Sequence, residues 1–473
     1  NTYNTAVGAL AGLAITTGTL NTLVGGLAGD AITTGDANVA VGKSALSAVT
    51  TSDYNTAVGH NSGAAVTTGT QNTLIGALAG DALTTAVNNI AIGYKALTAD
   101  TLGRKNIAIG VGALEDQNFT TSTDSYNVAI GDNAGANVTT GIQNTLIGGL
   151  AGDALTTGSY NNAFGYASLS TATTGEQNAA FGRYSLNANT SGSENTAVGN
   201  HALNSNTTAD NNTAVGYQSL YANTSAIGNT AVGFASGYTN TTGTDNVSLG
   251  YNAGYSNASS SSNTSIGSHA LYANTGATNT ALGTQALRFN STAANNTAVG
   301  YQAGFTNVTG DAMTAIGTKA LRGNTTGRFN SALGYESLYA NTSGTYNVAV
   351  GSAALTANTT ASNNTAVGYQ AGYANTTGAS NTAVGEGSLA SNTTADSNTG
   401  VGKSSLNANT TGNNNTTAGK DSLASNTTGS FNTAFGSNAL VSNTTADDNT
   451  AVGYQAGTKV TTATGGVYLG RSS

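Results

Sequence analysis

One stretch, NTAVGYQAGYANTTGAS at residues 364–380, recurs along the whole chain, and this repetition limits the possible folds more than any single residue does. Counting N-T-A-V-G as positions 1 to 5, the position-5 glycine runs from Gly8, Gly25 and Gly42 through to Gly453 and Gly470, giving 28 boxes in which 25 of the 27 intervals are 17 residues. The exceptions are 21 residues between Gly110 and Gly131, where extra sequence stands at 115–125, and 16 between Gly267 and Gly283. Seventeen residues are too few for a helical hairpin with its turns, but they suit one coil of a solenoid. The fold predicted is all-β: a parallel β-solenoid, or β-roll, of about 28 coils of 17 residues. Each position should lie over its counterpart at about 4.8 Å, for a rod of roughly 130 Å.

The columns give that prediction detail. Position 4 is β-branched or aromatic (Val7, Val24, Ile75, Phe164, Val367), which reads as the inward ladder of the core. Position 3 is small (Ala6, Ala40, Ala57, Ala214, Ala366) and by alternation should face outward, where a column of alanines would let another chain approach. Position 5 is Gly in every box, Gly368 among them, as a backbone corner with positive φ requires. Position 1, as at Asn364, is Asn in 26 of 28 boxes, failing at Met313 and Gly466, and predicts a ladder of stacked amides. Position 9 alternates between Leu (Leu203, Leu220, Leu271, Leu355) and Gly (Gly237, Gly254, Gly304, Gly372), a second core column.

Position 12 divides the chain into two dialects. Over residues 1–188 it is mostly apolar (Ile15, Ile32, Val49, Val66, Leu83, Val138, Leu155), and this part carries the insertion at 115–125, expected as an outward loop. Over 189–473 it is Asn in 16 successive coils before returning to Val460. Twelve of these open N-T-[ST] or N-T-T sequons at Asn189, Asn206, Asn223, Asn240, Asn324, Asn341, Asn358, Asn375, Asn392, Asn409, Asn426 and Asn443, which makes the column a candidate row of glycosylation sites. A polar turn uses the same residues, and that is the preferred reading.

With 7% charged residues, 64 Gly, no Pro and no Cys, the composition alone would suit a disordered chain, but stacked coils need few buried side chains because their backbones pair. The net charge of −8 leaves no basic stripe for nucleic acid, and no apolar run reaches membrane-spanning length. Starting at Asn1 in mid-repeat, the chain reads as a segment of a longer protein. Tyrosines recur at position 6 (Tyr94, Tyr166, Tyr217, Tyr251, Tyr301, Tyr335, Tyr369, Tyr454) and position 10 (Tyr221, Tyr238, Tyr255, Tyr272, Tyr339, Tyr373), and are expected to stack between coils. His60, His201 and His269 lie too many coils apart to share a metal, as do Asp30, Asp81 and Asp153. No catalytic, metal-binding or cofactor-binding residue is assigned, and the chain is expected not to be an enzyme.

The segment D-S-Y-N-V-A-I-G-D-N-A-G at residues 124–135, with N-I-A-I-G at Asn106, resembles the repeats of YadA-like trimeric autotransporter adhesin heads, and similar boxes occur in phage tail fibres. The pattern covers essentially the whole chain. It implies a homotrimer about one axis, an extracellular place on a bacterial surface or a virion tail fibre, and a cell-surface glycan or protein as receptor. The family's coils are shorter, and this chain adds the A-N-T-T-G segment. The function expected is a structural and adhesive fibre segment acting as a rigid rod with a repeated binding face. The alternatives are a self-assembling homopolymer filament and, less favoured, a polysaccharide-degrading β-helix.

Overall fold

The computed structural model describes residues 2–473, which form two compact units, residues 2–242 and 243–473. Each unit is a parallel β-solenoid with fourteen box strands, and no helix occurs among the described residues. A box strand is three residues long, spanning positions 2 to 4, and pairs in parallel with the same positions of its neighbours. In the first unit Thr196–Val198 pairs with Thr213–Val215, aligning Ala197 with Ala214; in the second, Thr365–Val367 pairs with Thr382–Val384, aligning Val367 with Val384. Like side chains therefore form files along each unit.

The strand faces the opposite way from the sequence expectation. Position 3 points inward: Ala40, Ala57, Leu74, Ala214 and Ala366 are all buried. Position 4 points outward, so Val24, Ile75, Phe181 and Val367 are exposed, Val367 to 38%. A three-residue strand sends only its middle side chain inward. That side chain shares the coil interior with positions 1, 8, 9, 12 and 15 (Asn364, Ala371, Gly372, Asn375 and Gly378 in one coil), all buried, so the volume open to it is set by those partners. β-Branched residues favour a pleated, half-exposed surface, and here that preference marks the outer face rather than the core.

Interior volume is balanced between positions 3 and 9. Where position 3 is Leu, position 9 is Gly: a Cβ on Gly29 would lie 2.8 Å from Leu23 Cδ2 and 2.7 Å from Ile32 Cδ1. Where position 9 is Leu, position 3 is small, as for Leu355 and Ala349, both buried. A glycine at position 9 next to such a coil is filled from there, with Leu355 Cδ2 reaching within 3.0 Å of the Cβ site of Gly372. The second core column is thus as read, with the packing shared between neighbours.

Most amides not bonded within a coil bond to an adjacent one. Thr365 N donates forward to Asn381 O at 2.8 Å, whereas Gly368 N donates back to Val350 O at 2.8 Å and Gln370 N to Ser352 O at 3.0 Å. This two-way pairing needs a winding backbone. Position 5 holds φ near +135° at Gly368, and a Cβ there would sit 2.7 Å from the carbonyl carbon of Gly385. Positions 7, 9 and 17 also take left-handed φ without being restricted to glycine: 54° at Gln370, 50° at Leu355 and 59° at Ser380. Each such residue costs about 1 kcal/mol, which the inter-coil hydrogen bonds offset.

The dialect switch does not interrupt the first unit, since Ala179–Phe181 and Thr196–Val198 pair in register across it. The 16-residue interval is absorbed in a turn: Asn274 Nδ2 bonds to Gly276 O, two residues on, where a standard coil bonds three residues on, and Thr264 still aligns with Thr280.

Candidate functional site

Asparagine sets the inside of the coil. At position 1, Asn38 N and Nδ2 both donate to Oδ1 of Asn21, at 2.9 and 3.2 Å, while Nδ2 also crosses the coil to Ser52 O at 2.8 Å. The same spoke joins Asn364 Nδ2 to Gly378 O at 2.9 Å. The amide ladder read from sequence is present, and Met313 and Gly466 keep its backbone rung through their N–H groups to Asn296 and Asn449 Oδ1.

Position 12 builds a second internal ladder, which corrects the glycosylation reading. Asn189, Asn206, Asn223, Asn240, Asn324, Asn341, Asn358, Asn375, Asn392, Asn409, Asn426 and Asn443 are each at most 2% exposed. Asn324 Nδ2 donates to Asn307 Oδ1 at 2.8 Å and to Gly327 O at 2.9 Å, and Asn426 does the same with Asn409 and Gly429. In Asn324 and Asn426 the nitrogen that would carry a sugar faces the interior with both its hydrogens engaged. The switch from Ile, Val or Leu to Asn at this position exchanges apolar burial for a satisfied polar ladder.

The outer surface carries three kinds of column. The first is position 4, an apolar file on the strand face in each unit. The second is aromatic. Tyr217 stacks on Phe234 at 5.3 Å, Tyr221 on Tyr238 at 5.2 Å and, in the second unit, Tyr255 on Tyr272 at 5.2 Å, so these tyrosines pack coil upon coil as expected, while Tyr301, Tyr335 and Tyr369 stand exposed. The third is hydroxyl. Thr376 Oγ1 at position 13 donates to Thr393 O at 2.9 Å, and Thr377 at position 14 faces solvent.

Position 16 carries a role that sequence reading missed. Its side-chain oxygen accepts the position-16 N–H of the coil before, as Asp36 does for Thr19 at 2.6 Å, Asp210 for Ser193 at 2.7 Å and Asp447 for Ser430 at 2.7 Å. The signal was a column restricted largely to Asp, Asn, Ser and Thr.

The insertion at 115–125 is laid against the preceding coil rather than free. Thr123–Asp124 pairs with Gly103–Arg104, Phe119 is buried, and Asp124 bridges Arg104 at 3.0 Å and Lys105 at 2.7 Å. The Lys105 hydrogen bond holds the Asp124 carboxyl below its ordinary range. Asp116, Asn118 and the stretch Thr120, Thr121 and Ser122 are presented to solvent. Beneath it lies Asp100, fully buried at position 12, which accepts from Gln117 Nε2 at 2.7 Å, Gly103 N at 3.0 Å and Phe119 N at 3.3 Å. Burial raises its pKa above the usual 3.8 in spite of those donors.

The other candidates stay apart. His201 stacks on Tyr184 at 5.2 Å, and His269 packs on Tyr251 at 5.3 Å with its pKa lowered by burial and by Arg288. Asp81 Oδ1 accepts from the Thr98 hydroxyl. Among the described residues no three His, Cys, Asp or Glu side chains gather as a metal site, and no helix is long and apolar enough to cross a membrane. No protein-family model matches the chain, and no curated protein matches it. The class defined by the geometry is the parallel β-solenoid, with its apolar, aromatic and hydroxyl columns on the outside.

Proposed function

We propose that this chain is a structural and adhesive segment of an extracellular fibre, of the bacterial surface adhesin or phage tail-fibre kind. Identical copies pack side by side through the outward column at position 4, three about one axis, and the remaining columns face a cell-surface glycan or protein receptor. The chain's work is mechanical spacing and presentation, without catalysis. The observation that carries this reading is an exposed aliphatic and aromatic file in each unit: Val24, Ile75 and Phe181 in the first, and Leu333, Val367 and Phe435 in the second. Soluble monomers seldom leave long apolar files in water. A partner that covered one would have to repeat its contact every coil, and a second copy of the chain has that period built in. This places the contact one residue along from the alanine column suggested by sequence.

A second reading, stacking of copies into a filament, draws on the in-register parallel pairing that already joins one coil to the next, as Thr365–Val367 pairs with Thr382–Val384. Sedimentation equilibrium of the full chain separates the two. Side-by-side assembly predicts a closed species near three times 46.3 kDa, independent of concentration above a threshold. A mass that keeps growing with concentration would favour the filament, and a monomer throughout would overturn both.

A further inference from the structure

In the second unit position 10 carries an unusual run over five successive coils: Tyr272, Arg288, Phe305, Arg322 and Tyr339. The rings and guanidinium groups alternate in contact. Arg288 Cζ lies 5.8 Å from the Tyr272 ring centre and 5.2 Å from that of Phe289, while Arg322 Cζ lies 5.2 Å from Phe305 and 5.7 Å from Tyr339. Gln302 fixes one of them further, its Oε1 accepting from Arg322 Nε at 3.0 Å. Both arginines are half-exposed, and neither has an ion pair among the described residues; the pairs in this stretch are Lys319 with Glu336 and Arg328 with Asp311. In a chain of net charge −8, two uncompensated cations have been ordered in line between aromatic neighbours.

We propose that this ladder is a binding stripe for a linear acidic polysaccharide of the polyuronate type. Arg322 spends Nε on Gln302 and one Nη1 hydrogen on the Tyr339 hydroxyl at 3.4 Å, which holds the guanidinium in place and leaves its Nη2 end for a carboxylate, with little ordering entropy left to lose. Arg288 and Arg322 stand two coils apart, about 10 Å, so they meet a polymer bearing carboxylates in a regular row along the stack. The rims of Tyr272, Phe305 and Tyr339 give the sugar backbone an amphipathic surface. A folded protein partner would need on the order of 800 Å² on each side, more than a file of five side chains offers. Duplex nucleic acid carries a phosphate charge about every 1.7 Å along its axis, far denser than two arginines about 10 Å apart can match. The proposal rests on the fibre reading and names the receptor chemistry of one of its faces.

The test is affinity electrophoresis of the full chain in gels containing polygalacturonate, with neutral dextran as control. Wild type should be retarded by polygalacturonate at low salt, released as ionic strength rises, and unaffected by dextran. The R288Q/R322Q double variant should bind about tenfold more weakly or worse, while R328Q, which removes a cation outside the ladder, behaves as wild type. Unchanged circular dichroism and sedimentation mass of R288Q/R322Q establish that it folds and assembles. Absence of retardation in wild type, or equal retardation of the double variant, would overturn the ladder as a polyuronate site while leaving the assembly reading intact. A monomeric wild type that still binds through these arginines would sink the assembly reading alone.

Discussion

Asn206 Nδ2 donates to Asn189 Oδ1, one coil back, at 2.8 Å and to Ala209 O in its own coil at 3.0 Å. Both amide hydrogens are therefore used inside the coil, and the next rung, from Asn223 Nδ2 to Asn206 Oδ1 at 3.0 Å, uses the acceptor. Expression in a host that glycosylates N-x-[ST] sequons should return a folded chain with Asn206 unmodified, whereas exposed sequons such as Asn118-Phe119-Thr120 remain open to modification. A glycan found by mass spectrometry on Asn206 of the folded protein would refute the internal ladder.

Breaking one rung should be costly. Asn206→Ala strands the Asn189 oxygen and an Asn223 N–H in the interior and takes one of two donors from the Ala209 carbonyl, which keeps Asn195 Nδ2 at 2.8 Å, for a loss of about 2–4 kcal/mol. Because neighbouring coils are held mainly by each other, amide exchange should accelerate first in the coils around residue 206. Exchange rates there equal to wild type would contradict the role given to this amide.

Adjacent glycines give opposite predictions. A Cβ on Gly25, whose φ is +137°, would sit 2.5 Å from Gly42 O, whereas one on Gly26 meets nothing closer than Ala9 O at 3.9 Å. Gly25→Ala should destabilise by about 3 kcal/mol or more through strain and clash. Gly26→Ala should be neutral or stabilising by up to about 1 kcal/mol. Denaturant melts of the two variants side by side give the comparison.

The exchange of volume between positions 3 and 9 predicts strong coupling. Leu23→Ala alone opens a cavity and should cost about 2–5 kcal/mol. Gly29→Leu alone overpacks against Leu23 and Ile32. The double variant recreates the small-then-Leu arrangement of other coils and should recover more than about 1 kcal/mol of the summed losses, read from a double-mutant cycle.

Asp100 predicts a pH dependence with a definite sign. Burial raises its folded pKa above 3.8, so the folded chain holds a proton that the unfolded chain has released across that window. Stability contributed by this site therefore rises as pH falls from neutral toward the ordinary carboxylate range. The nearby charges Arg104, Lys105 and Asp124 belong to a partly exposed cluster with its own titration. Amide exchange at Gly103 and Phe119, whose N–H groups bond Asp100, isolates the contribution; protection there should increase on acidification in wild type and lose that trend in D100N.

Much of the fold was legible in the repeat. The invariant position-5 glycine required the corner seen at Gly368, and the Asn column required stacked amides. The facing of the strand was not legible, because T-A-V fits either orientation when the strand has a single inward residue; choosing between them needed the interior contributions of positions 8, 9 and 12 (Ala371, Gly372 and Asn375 in one coil). For the same reason the N-T-T segments looked like surface sequons, although only the second Thr, as at Thr377, is exposed. The left-handed residues at positions 7 and 17 left no compositional trace, since Gln370 and Ser380 are held there by neighbouring coils rather than by preference. The arginine ladder was visible as letters, but its alternation with rings emerged only when position 10 was aligned through the shortened coil ending at Thr278.

Side-by-side packing through the strand face can be tested with a single bond, because the native chain has no cysteine. Val367→Cys places a thiol on the outward column, and Thr377→Cys places one on an exposed position elsewhere on the same coil. Under mild oxidation V367C should form disulfide-linked dimers of the chain in high yield at dilute concentration, with T377C remaining uncrosslinked. If V367C stays monomeric on non-reducing gels, or links no better than T377C, copies of the chain do not meet along this column.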